Sequence, residues 1–164
     1  MPFFITLFEQ TKGQPITWEG KRLFLWDIFP VKDGETLRLI FESVNSDWQQ
    51  GVELATNVGL RAKGGFIING EKLGNRVILM QDISPQVVEF TVRTKDGKLY
   101  VNNAWQKPPA AWAAGITYVG KRSDGAAMIV EELPNGRRYR CNDGRPDDDF
   151  DDIIFRIERV NGNE

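Results

Sequence analysis

Gln86-Val87-Val88-Glu89-Phe90-Thr91-Val92-Arg93-Thr94, followed by Asp96-Gly97, decides the fold class. Successive side chains of an extended strand point to opposite faces, so Val88, Phe90 and Val92 share one side and Glu89, Thr91 and Arg93 the other. Asp-Gly then turns the chain into a second extended run, Lys98 to Asn102.

The same two-residue period recurs on either side of this stretch. Thr36 to Val44 follows the Asp33-Gly34 turn and sets Leu37, Leu39 and Phe41 against Arg38 and Glu42. Lys21 to Phe29 is nearly continuous in apolar residues, which predicts a central strand buried on both faces, and Met1 to Phe8 reads as a first strand. Gly51 to Val58 reads as a polar-edged strand. Gly65 to Asn69 and Arg76 to Gln81 are expected to form a hairpin through Asn69-Gly70, and Ala126 to Leu133 and Arg137 to Cys141 another through Pro134-Asn135-Gly136. The last strand, Asp152 to Val160, presents Ile153, Phe155 and Ile157 to the core. No segment sustains a helical period. Ala110 to Ala114 lies between Pro108-Pro109 and Gly115, which favours a loop, and residues 107–125 are expected to be one long loop. Short strands with Gly, Asn and Asp turns between them predict an all-β fold, an antiparallel β-sandwich of the jelly-roll type, formed by 1–164 as a single domain.

The composition removes several functions. The chain has 164 residues, 41% of them hydrophobic, and a formal charge of −2, without a basic stripe of interleaved aromatics, so no nucleic-acid partner is expected. Histidine is absent and Cys141 is the single cysteine, which excludes Ser-His-Asp and Cys-His catalysis, histidine metal sites and an intrachain disulfide. Cys141 adjoins an arginine cluster, yet without a base it is expected to be buried and inert. No apolar run is long enough to span a bilayer and the first residues lack the pattern of a secretory signal, so a soluble chain is expected.

Chemistry concentrates in Asn142-Asp143-Gly144-Arg145-Pro146-Asp147-Asp148-Asp149-Phe150-Asp151-Asp152, where six carboxylates fall within ten residues. Like charges about 4 Å apart repel by about 4 kcal/mol at a surface dielectric near 20, so the loop calls for positive charge. Asp147, Asp149 and Asp151 are two apart and share a face in an extended chain, with Phe150 free to anchor the loop in the core. Calcium takes six to eight oxygen ligands and tolerates irregular geometry, which suits this set better than the EF-hand pattern does. Two other readings stand beside it. Arg137, Arg138, Arg140 and Arg145 could clamp the carboxylates, or the aspartates could form a solvated turn.

Asp143-Gly144 and Asp147-x-Asp149-Phe150-Asp151-Asp152 before an apolar strand resemble the aspartate-rich loop of the calcium-dependent fucose- and mannose-binding bacterial lectins. The loop is also similar to that of a calcium-binding β domain found at the ends of large secreted bacterial proteins. The resemblance covers about eleven of the 164 residues. It implies a Ca²⁺ site formed by Asp147, Asp149, Asp151 and Asp152, with Asp143 in the Asp-Gly pair and Phe150 in the aromatic slot. Here the Asp-Gly pair lies one residue further from the next aspartate than in the lectins, and Asp151 stands where they have Asn.

Five tryptophans are many for this length, and four lie near turns. Trp105 and Trp112 bracket Pro108-Pro109 as a candidate sugar-stacking platform, against the common alternative that they plug the core. Asn103, after a strand, could supply an amide oxygen or a hydrogen bond to a ligand. The expected function is a calcium-dependent, non-enzymatic binding module for carbohydrate. The alternative is a structural or protein-interaction sandwich with its acidic loop tied to arginines. A glycoside-cleaving enzyme is disfavoured, because adjacent aspartates in a hydrated loop do not give the separated carboxyl pair such chemistry needs.

Overall fold

The computed structural model describes residues 4–62, 71–73, 75–107, 111–114, 126–143 and 149–160; for 71–73, 107 and 111–114 it describes the backbone alone. Among the described residues one helix, α1 (Phe4–Gln10), precedes fourteen strands: β1 (Ile16–Trp18), β2 (Lys21–Leu23), β3 (Asp27–Pro30), β4 (Thr36–Val44), β5 (Gln49–Ala55), β6 (Gly59–Ala62), β7 (Glu71–Leu73), β8 (Arg76–Met80), β9 (Val87–Arg93), β10 (Lys98–Lys107), β11 (Ala111–Ala114), β12 (Ala127–Leu133), β13 (Gly136–Asn142) and β14 (Ile153–Arg159). Two sheets form an antiparallel sandwich. The first has the order β12-β13-β14-β4-β9-β6 and the second β11-β10-β5-β8-β7, with β3 also pairing β10. Alternation puts Leu37, Leu39, Phe41, Val88, Phe90, Val92, Ile153, Phe155 and Ile157 of the first sheet against Val52, Leu54, Val77, Leu79, Leu99 and Val101 of the second. Among the described residues no helix is long and apolar enough to cross a membrane.

Polar side chains border the interlayer core. Tyr139 stacks on Phe155 and donates its hydroxyl to Asp27 Oδ2 at 2.7 Å, and Arg137 Nη1 donates to the same oxygen at 2.8 Å. Burial, and next the Asp27 charge, push the Tyr139 phenol well above its usual range, so it stays a donor.

A smaller second core joins Phe4 and Phe8 of α1 to Ile16, Leu23, Leu25 and Phe150. Met1 to Phe8 reads as a strand in the sequence, yet its described part is helical. Phe4 and Phe8, about one helical turn apart, stack on the helix face that enters this core. Gly13, at φ +83°, ends the turn by donating its N–H to Phe8 O at 2.7 Å.

Three further expectations are corrected. Lys21 to Phe29 is two strands, β2 and β3, because Phe24 leaves to bridge Met128. Gln49–Ala55 is one of the most buried strands and sits between β10 and β8, so its polar residues are internal rather than an exposed edge. Part of the supposed loop at 107–125 is strand β11, which folds back on β10 with Lys107 opposite Ala111; the rest lies outside the described residues. So do Gly65 to Gly70; β8 pairs with β5 on one side and with β7 on the other, with Leu73 opposite Arg76.

Candidate metal centre

The antiparallel pairing of β14 with β4 positions the acidic loop. Ile153 lies opposite Val44, so the residues after Val44 meet those before Ile153. Asn45 N donates to Asp152 O at 3.0 Å and Asn45 Nδ2 to Asp151 Oδ2 at 2.9 Å. On the other side, the end of β13 closes the base of the loop. Asp152 N donates to Cys141 O at 3.0 Å, Asp143 N to Asp152 Oδ2 at 2.8 Å, and Phe150 N to Asn142 Oδ1 at 2.8 Å.

Phe150 takes a left-handed conformation, φ +53°, that costs a residue other than glycine roughly 1–2 kcal/mol. Its ring is buried in the second core, 5.9 Å from that of Phe4, and this burial offsets the cost. Because the left-handed residue interrupts the strand alternation, Asp149 is brought together with both Asp151 and Asp152. One carboxylate oxygen from each of the three lies within 4.8 Å of the others. Burial rises along the set, from exposed Asp149 through half-buried Asp151 to buried Asp152. Asp151 Oδ1 is shielded from solvent and receives no hydrogen bond from the described residues. An all-oxygen donor set with a buried oxygen lacking a donor fits a hard cation.

The other expected site residues distribute differently. Asp147 lies outside the described residues. Asp143 stands apart from the three-carboxylate cluster, fully buried, with Oδ2 accepting from Ser46 Oγ at 2.8 Å and Gln50 Nε2 at 2.9 Å. It therefore braces the base of the loop against β5. Asn103 is buried on the inner face of β10 and donates Nδ2 to Asn142 O at 2.8 Å, which places it under the loop rather than on a surface. Trp105 is 1% exposed and packs with Ala126 and Trp48, so it offers no free ring face to a sugar. Trp112 belongs to β11, and its side chain lies outside what the structure describes.

The arginines next to the loop in sequence are engaged elsewhere. Arg137 binds Asp27 and Glu132, Arg138 binds Glu42 and Glu131, and Arg140 binds Glu131. Arg145 lies outside the described residues. Cys141 is fully buried; burial first, and the Asp152 charge second, hold its thiol well above the usual range, which makes it unreactive in the folded chain.

Ser46 and Gln50 escape a reading of the loop alone. The polar run Asn45-Ser46-Asp47 directly after β4 was the available signal, and it points to the loop only once β4 is known to pair with β14. The chain matches no family model, no curated protein and no solved structure.

Proposed function

We propose that this chain is a non-enzymatic, calcium-binding β-sandwich module whose ion-held loop presents a partly open oxygen shell to a carbohydrate. The convergence of Asp149, Asp151 and Asp152, with Asp151 Oδ1 buried and lacking a donor among the described residues, carries this reading. Carboxylates this close repel by roughly 3 kcal/mol per pair at a dielectric near 20, and a doubly charged ion reverses the sign of that interaction. The engagement of Arg137, Arg138 and Arg140 with other carboxylates supports an ion over those three side chains as the balancing charge.

Calcium accepts more oxygens than three carboxylates supply in single contacts, so positions remain for water or for sugar hydroxyls. The exposure of Asp149 supports a mouth open to solvent on that side. Without Trp105 as a stacking face, recognition rests on the ion and its neighbouring polar groups. A glycan array probed with calcium and again with excess chelator tests the ligand class. Binding of a defined set of saccharides that disappears with chelator is expected; an array silent under both conditions removes carbohydrate from the proposal.

A further inference from the structure

Two side-chain oxygens beneath the loop, Gln50 Oε1 and Asn103 Oδ1, are buried and receive no hydrogen bond from the described residues. Their residues are only 2% and 1% exposed. The orientation of each amide is fixed by its nitrogen. Gln50 Nε2 donates to Asp143 Oδ2 at 2.9 Å and to Trp48 O at 3.3 Å, and Asn103 Nδ2 donates to Asn142 O at 2.8 Å. Turning either amide over would set oxygen against oxygen, so the bare oxygens stay where they are.

The two side chains also share a face. Gln50 lies opposite Trp105 and Val52 opposite Asn103, which makes Gln50 and Asn103 diagonal neighbours across β5 and β10, roughly 7–8 Å apart at the backbone. Both reach the consecutive residues Asn142 and Asp143 at the end of β13. Two buried acceptors therefore belong to neighbouring residues on the same face of this sheet, each bearing the desolvation cost of an unmade bond.

A water could donate to both, but its own oxygen would then need donors. Both amide hydrogens of Gln50 are spent, the Ser46 hydroxyl is given to Asp143 while accepting from Trp48 N, and of these groups the second amide hydrogen of Asn103 alone is left for a water. A cation needs oxygens alone. The cost of burying an ion grows with the square of its charge, and neutral amide oxygens offset a double charge poorly, which favours a single positive charge.

We infer that Gln50 Oε1 and Asn103 Oδ1 hold a monovalent cation, sodium or potassium, between the two sheets, with backbone carbonyls and water completing its shell. This site is separate from the carboxylate cluster and does not depend on a divalent ion there. Thermal unfolding in excess EDTA, in sodium, potassium or N-methylglucamine chloride at equal ionic strength, isolates it. The expected result is a melting point several degrees higher in sodium or potassium than in N-methylglucamine, because an ion bound only to the folded chain stabilises it by mass action. Asn103→Leu and Gln50→Met should abolish the difference. Should those variants fail to fold, crystals of the unaltered protein soaked in rubidium or thallium salts are expected to give an anomalous peak between the two oxygens. Identical melting in all three salts, or a water there with no anomalous signal, overturns the assignment.

Discussion

Asp151 separates the two ways of balancing the acidic loop. Its Oδ2 is held by Asn45 while its buried Oδ1 has no donor among the described residues. Replacing it by asparagine keeps the shape, removes one of three converging charges and adds N–H groups that can donate to Asp149 and Asp152. If an ion is the natural counter-charge, Asp151→Asn should stabilise the metal-free protein by about 1 kcal/mol, since like-charge repulsion falls. The same change should weaken calcium binding at least tenfold. Melting curves of the variant in chelator and in calcium read both effects at once. An arginine-held loop gives the opposite pattern: loss of stability in chelator and no response to calcium.

At the scale of the strands, Glu42 organises the outer face of the first sheet. The register slips between Ile154 and Phe155, which leaves Glu42 as the extra residue of β4. Arg138 and Arg156 face each other directly across β13 and β14, and Glu42 accepts from both, at 3.0 and 2.9 Å. Partial burial raises the carboxyl, but the hydrogen bonds from Arg156 and Arg138 outweigh it and hold Glu42 below its ordinary value of 4.5. Because the folded value is depressed, this stabilisation is complete above the unfolded value and is lost as pH falls through the folded one. Glu42→Gln should therefore cost roughly 1 kcal/mol at neutral pH, by leaving two arginines opposed, and the gap from the unaltered protein should begin to narrow near pH 4.5 and close only once pH has fallen through the lower folded value. Urea titrations at neutral and acid pH measure that gap.

The strands were legible where one face is wet. β4, β9 and β14 alternate because the first sheet turns charged groups outward. β5 misleads because both of its faces are buried, so Glu53, Gln50 and their neighbours no longer mark an outside. α1 misleads because a short apolar run carries no decisive period and its partners, Phe150 and Leu23, are far away in sequence. The acidic loop was legible as chemistry, and the three aspartates that converge were among those expected. The bracing by Ser46 and Gln50 was not, because it depends on which strands pair. Trp105 illustrates the same limit, since proximity to a turn says nothing about which side of the sheet a ring lies on.

For the molecule as a whole, the loop is the seam between its two hydrophobic cores. Its backbone continues into β14 of the interlayer core, while Phe150 plugs the core beneath α1. An ion gathering Asp149, Asp151 and Asp152 would therefore tie both cores together, and its effect should reach global unfolding rather than local order alone. With calcium at about a hundred times its dissociation constant, mass action adds about 2.7 kcal/mol. For a chain of this size that corresponds to a rise of several degrees in melting temperature. The most direct measurement is calorimetric titration of calcium into chelator-stripped protein, with melting followed in parallel for the unaltered chain and for Asp149→Asn/Asp151→Asn. Saturable binding with a raised melting point in the former, and neither in the latter, is the result predicted. A stripped, folded protein that takes up no calcium and melts at one temperature with or without it would contradict the assignment of this loop as a cation site.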